Sequence, residues 1–97
     1  MEFNVKEKTN NSILLSFKDL DIGFLNLLAY ELLKDKRVLN AYARKPHPLL
    51  EEVEFYILVS EGTDIVSLLE EKINIIKNEF SEFKQKFLEN LEKIHKA

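Results

Sequence analysis

The sequence predicts an α+β fold: a mostly antiparallel four-stranded sheet with two helices on one face. Three observations lead there. Apolar residues alternate in three short segments and Val38 to Arg44 reads as a further strand, they recur at three- and four-residue steps in two others, and the order of these segments is β-β-α-β-β-α. Strands outnumber crossover helices, so hairpin pairing dominates and the helices form a second layer.

Phe3 and Val5 alternate with polar neighbours, as in a half-buried strand, and Ile13, Leu15 and Phe17 alternate again. Between them lies Thr9-Asn10-Asn11-Ser12, a run of residues that bond their own backbone and accept turns. From Asp21 the period changes. Ile22, Leu25, Leu28 and Leu32, with Phe24 and Leu27 beside them, make one broad helical face. Asp19 or Asp21 can cap its start, and Lys34, Lys36 and Arg37 stand where the helix dipole favours cations. Val38 to Arg44 reads as a third strand. Lys45-Pro46-His47-Pro48 then interrupts pairing, since each proline fixes its own backbone and keeps its predecessor extended. Val53, Phe55, Ile57 and Val59 alternate as a fourth strand, ended by Gly62 and Thr63. Thr63 or Asp64 caps a last helix that runs to the end of the chain.

Ninety-seven residues suit one domain, taken as residues 1–97. The apolar fraction of 45% is enough to offset chain entropy, which excludes a disordered tail. There is no cysteine, so disulfides and thiolate metal sites are excluded and a cytoplasmic home is expected. Neither a signal peptide nor a membrane span is expected. A net charge of −3 argues against independent binding of nucleic acid, because phosphate neutralisation supplies most of that affinity.

The last helix carries the functional argument. Val66, Leu69, Ile73, Ile76, Phe80, Phe83, Phe87 and Ile94 follow steps of three and four, with Asn90 in one seam position. A helix of some thirty residues is about 45–50 Å long, whereas a compact domain of this size is about 25–30 Å across. Val66 to Ile76 can serve as core against the chain's own sheet. The second half overhangs, and a second chain is the natural cover for its phenylalanines. The other solution is a bend that packs the end back on the first helix, although no glycine or proline after Gly62 marks a kink.

The search for chemistry is mostly negative. Gly23 and Gly62 are isolated, so no phosphate loop is formed. His47 and His95 are far apart and lack a ligand constellation. Asp19 with Asp21 and Glu51 with Glu52 are paired carboxylates, read as a helix cap and a solvated loop. Lys34, Lys36, Arg37, Arg44 and Lys45 form the one basic concentration, read as a solvated edge. No catalytic residue, cofactor or metal is expected.

The order of elements, the acid and the Asn-Leu pair of the first helix (Asp21, Asn26, Leu27) and the segment Pro46-His47-Pro48-Leu49 together resemble archaeal DNA-directed RNA polymerase subunit L. That family has eukaryotic counterparts and is similar to the dimerisation domain of the bacterial α subunit. In this chain Ile22-Gly23-Phe24-Leu25 replaces the family's usual His-Thr-Leu and small residue. The resemblance implies a non-catalytic assembly subunit that forms a heterodimer with the α-like, D-type subunit of the RNA polymerase. Small zinc-binding subunits and the large catalytic subunits would join that platform in transcription. It further implies a partner interface of Phe24, Leu25, Leu28, Leu32, Phe80, Phe83, Phe87 and Ile94, the first-helix residues dividing between the sheet and the partner. Asp21, Asn26, His47, Pro48 and Leu49 would be structural: Asn26 fixing the first helix by a hydrogen bond, His47 and Pro48 shaping their loop. The rival readings are a free-standing homodimeric module using the same seam, a nucleic-acid adaptor using Arg44 and Lys45, and an enzyme with an unrecognised carboxylate site.

Overall fold

The computed structural model describes the backbone of residues 2–96 and the side chains of residues 3–90 and Glu92. Four strands, β1 (Glu2–Lys8), β2 (Ser12–Lys18), β3 (Val38–Arg44) and β4 (Glu52–Val59), form one sheet with the spatial order β1-β2-β4-β3. Helix α1 (Ile22–Leu33) lies between β2 and β3 in the chain, and α2 (Ile65–Lys96) follows β4. The predicted order and the antiparallel sheet are both present, every neighbouring pair being antiparallel.

Cross-strand partners share a face of the sheet. The pairs Phe17–Val53, Leu15–Phe55 and Ile13–Ile57 therefore point to the helix side, as does Ala41 opposite Ile57. Onto that side α1 presents Leu25, Leu28, Ala29 and Leu32, and α2 presents Leu68 and Ile76. The outer face is mixed: Tyr42 and Tyr56 pack with ring centroids 5.2 Å apart beside Leu14 and Leu58, and its other half is tied by charge. Glu54 is buried, with 3% of its surface exposed, and accepts hydrogen bonds from Lys6 Nζ at 2.7 Å and Arg44 Nε at 2.7 Å. Glu52 accepts one from Ser16 Oγ at 2.7 Å and also pairs with Lys6. One network thus crosses all four strands.

The capping choices left open by the sequence are resolved. Asp21 caps α1, its Oδ1 accepting the Gly23 N–H at 2.9 Å, while Asp19 takes a left-handed backbone with φ 59° in the preceding turn. Asp64 caps α2, accepting the N–H groups of Val66 and Ser67. Gly62 has φ 86° in the turn closed by Thr63 N–H to Ser60 O at 3.2 Å, a conformation that costs glycine little.

Val66 departs from its expected place in the core, for 63% of its surface is exposed. A straight helix turns every 3.6 residues, so a stripe of period 3.5 drifts by about 20° per heptad. The line that meets the sheet runs through Leu68 and Ile76, with Ile65, Leu69 and Ile73 packed at its border. Val66, at the start of the drifting stripe, falls outside it.

Candidate protein-interaction surface

Helix α2 has 32 residues, about 48 Å of helix, and the molecule measures 56 × 35 × 18 Å along its principal axes. Its radius of gyration, 16.6 Å, exceeds the ~13 Å of a compact chain of this length. The excess is the overhang. Residues 77–90 are all exposed, so α2 continues past the sheet without bending back onto α1.

The overhang presents Phe80 and Phe83, each 66% exposed, and Phe87, 53% exposed. The rings of Phe83 and Phe87 stack with centroids 6.1 Å apart and planes 17° from parallel. At its inner end this stripe joins α1. Phe24, Leu27, Ile76 and Phe80, with Asp21, Gly23 and Lys77, line a groove of about 390 Å³ between the two helices. Leu27, Tyr30 and Leu33 are each about half-exposed or more; Leu27 adjoins the groove, while Tyr30 and Leu33 step progressively away around α1. Deeper, between the helices and the central strands β2 and β4, Leu15, Phe17, Leu20, Phe24, Leu69 and Ile73 help line an entirely apolar cavity of about 230 Å³. A groove, a cavity and an aromatic stripe thus make one apolar surface across α1 and α2. Covering such side chains gains roughly 1.5–3 kcal/mol for each one fully removed from water.

The expected interface residues separate on this geometry. Phe24, Phe80, Phe83 and Phe87 lie on the open surface. Leu25, Leu28 and Leu32 do not: they are 2%, 4% and 0% exposed within the chain's own core, because their line on α1 faces β3 and β4. The side chain of Ile94 lies outside the described residues. Leu27, Tyr30 and Leu33, not assigned to this surface from the sequence, are exposed as well. Their signal was available, since α1 is apolar almost all round, which a helix with one buried stripe does not need to be.

The structural residues separate likewise. Asp21 is the cap described above. Asn26 is exposed and makes no side-chain hydrogen bond among the described residues, a correction to the expected anchoring role: at about 100° per residue it falls on the outward side of α1, beside the exposed Tyr30 and Leu33 and away from the buried Leu25, Leu28 and Leu32. His47 folds its loop, its Nδ1 accepting the Leu49 N–H at 3.3 Å and its carbonyl the Leu50 N–H at 3.1 Å. Pro48 is exposed and Leu49, at 87%, is the most exposed large apolar residue described.

The basic concentration is largely neutralised within the chain. Lys34 pairs with Glu31 at 3.1 Å, Arg44 with Glu54, and Arg37 with Asp35 at 2.7 Å and Glu71 at 3.2 Å. Lys72 of α2 reaches the same Asp35 at 3.1 Å, so this cluster docks α2 on the turn after α1. The Arg37 guanidinium, then the Arg37 N–H and Lys72, hold the Asp35 carboxyl well below the usual carboxylate range. Three of the five basic residues are thereby engaged in ion pairs. Of the paired carboxylates, Asp21 is the cap, as expected, whereas Glu52, expected in a solvated loop, begins β4 and is half-buried because Lys6 of β1 and Ser16 of β2 engage it. Among the described residues no group of three or more histidine, cysteine or acidic side chains could hold a metal ion.

With this surface defined, comparison with known proteins is decisive. The model of the RNA polymerase Rpb3/Rpb11 dimerisation domain matches residues 12–86. The chain belongs to this family. Subunit Rpo11 of the DNA-directed RNA polymerase of Methanosarcina mazei is 32% identical over 83 residues, 86% of this chain and 89% of that protein. The same subunit of Methanosarcina acetivorans is 35% identical over the same shares. The crystal structure of DNA-directed RNA polymerase subunit L from Thermoplasma acidophilum superimposes with a TM-score of 0.76 at 22% identity, covering 99% of this chain and 94% of that one. The likeness to subunit L read from the sequence is borne out, in family and in fold. This Rpb11/Rpo11-type polymerase subunit carries its family's dimerisation domain on the elements that build the apolar surface, and none of its helices, among the described residues, is long and apolar enough to cross a membrane.

Proposed function

We propose that this chain forms a heterodimer with the α-like subunit of an archaeal-type RNA polymerase, and that the pair is a platform for the small zinc-binding and large catalytic subunits. The chain contributes an interface to this assembly and no group to nucleotide chemistry. One observation carries the reading: three phenylalanines exposed on a helix that runs past its own sheet, continuous with the open groove between α1 and α2. A domain stable by only ~5–15 kcal/mol does not gain by holding such rings in water. A partner's helices can cover them.

Phe24 and Leu27 serve as the inner anchors, and Phe80, Phe83 and Phe87 as the outer ones. Buried aromatic anchors carry a disproportionate share of binding energy, about 2 kcal/mol or more each. The test is the dissociation constant for the α-like polymerase subunit from the same organism. Phe83→Ala weakens it by about thirtyfold, the equivalent of ~2 kcal/mol, while leaving the melting temperature of the isolated chain unchanged, because the ring is exposed there. Unchanged affinity removes Phe83 from the interface. A homodimer on the same seam is the competing outcome, and light scattering on the chain alone distinguishes it.

A further inference from the structure

The overhang carries charge as well as phenylalanine, and the charge is arranged. With Ile76 and Phe83 in one seam position and Phe80 and Phe87 in the other, Lys77 and Lys84 occupy the same flanking position one heptad apart. They form a single line along one edge of the stripe. Both are exposed, and Lys77 forms part of the wall of the groove beside Phe24, Leu27 and Phe80.

Their surroundings on the helix hold no counter-charge. Residues three and four positions away are side-chain neighbours on a helix. For Lys77 these are Ile73, Asn74, Phe80 and Ser81, and for Lys84 they are Phe80, Ser81, Phe87 and Leu88. Lys86, on the other flank, has Glu82 and Glu89 at those distances. Among the described residues neither Lys77 nor Lys84 makes an ion pair, whereas Lys6, Lys34, Arg37, Arg44 and Lys72 all do. Lys8, Lys36, Lys45 and Lys86 likewise make no ion pair among the described residues; what sets Lys77 and Lys84 apart is their place in one line, without acidic helix neighbours, at the border of the surface to be covered.

We infer that the helix covering this seam belongs to a different chain and carries acidic residues about seven apart along the edge that meets Lys77 and Lys84. This deepens the pairing reading above and rests on it. Covering the phenylalanines desolvates the lysine heads beside them, and an uncompensated charge at a closing interface is costly. Carboxylates on the partner remove that cost. They also set register and exclude wrong partners. On this line a second copy of this chain supplies one acid, Glu70, one heptad before Lys77, and no pair of acids seven apart. In an antiparallel twofold pairing like positions on this flank face each other, so lysine meets lysine. A parallel one would put both sheets at the same end of the seam, where Leu68 and Ile76 already face the chain's own core. The opposite flank bears both signs, Glu79 and Lys86, and gives no such preference.

The test uses the full chain and the α-like polymerase subunit of the same organism. It compares wild type, Lys77→Glu/Lys84→Glu and Phe83→Ala at about 0.05 M and about 0.5 M salt, a range over which exposed charge pairs are progressively screened. The expected result is that charge reversal weakens binding by about tenfold or more at low salt, and that the gap narrows at high salt. Phe83→Ala weakens binding at both. Thermal melts of the isolated variants match wild type, since all three positions are exposed. If Phe83→Ala weakens binding but charge reversal changes nothing, or acts equally at both salts, the acidic edge is overturned and the pairing reading stands. If neither variant alters binding, the pairing surface itself is wrong and the inference falls with it.

Discussion

At the scale of single residues, position on an element decides what each apolar group does. Leu32 and Leu33 are neighbours in sequence and both would pass as core, yet one is fully buried and the other 52% exposed. Leu32→Ala should lower stability by about 2–5 kcal/mol, the range for truncating a buried leucine. Leu33→Ala should stay within about 0.5 kcal/mol in the isolated chain. Urea unfolding of both variants checks the contrast. Charge obeys similar logic. Hydrogen bonds from Lys6 and then Arg44 lower the Glu54 pKa, those from Lys6 and then Ser16 lower that of Glu52, and Asp35 is held down by Arg37 and Lys72. Groups whose folded pKa is depressed add stability above their unfolded values, about 4 for carboxyls, and lose it as pH falls through the folded values. Stability should therefore be flat near neutrality with respect to these groups and decline below about pH 4. Glu54→Gln should lower the melting temperature at pH 7 and shrink that acid decline, as melts across pH 2–7 would record. The side chains of Glu54 and Asp35 were readable as polar in sequence; that they would be tied to Lys6, Arg44, Arg37 and Lys72 was not, because those partners come mostly from other elements.

At the scale of elements, the strands were legible because alternation is local. Val53, Phe55, Ile57 and Val59 announce one buried face, and the hairpin of β1 and β2 follows from Thr9 to Ser12. The strand order β1-β2-β4-β3 was not legible, since pairing of β2 with β4 joins segments about forty residues apart and depends on packing. The seam of α2 was read correctly in period and wrongly in phase at Val66, because the sheet takes a straight line along the helix and the stripe drifts. Exposure makes a prediction for this helix. Its proximal part is pinned by Leu68, Ile76 and the Lys72–Asp35 pair, while residues 77–90 are all exposed, Lys77 and Phe80 bordering the groove toward α1. Hydrogen exchange of the isolated chain should show protected amides around Leu68 to Ile76 and fast exchange from Phe80 to Asn90, since local opening follows burial. Binding of the α-like partner should slow exchange in the second segment. Equal protection of both segments in the free chain would mean that the overhang is already covered.

At the scale of the whole molecule, the sheet and the helices divide the work. Ion pairs across the outer face and a leucine-rich core beneath α1 hold the platform, and the same two helices carry an apolar surface that the chain leaves open. The distribution between core and contact could not be read from α1, where apolar residues fill nearly every position and only the sheet's location tells Leu28 from Leu27. The overhang could be read, because helix length exceeds domain width whatever the tertiary detail. The central claim is that this surface is completed by a different chain. Light scattering coupled to size exclusion, on the chain alone and with the α-like polymerase subunit, tests it most directly. The account predicts one stable complex containing one copy of each protein, and no tight homodimer of the chain by itself. A homodimer that persists at low concentration and does not exchange with the α-like partner would contradict it.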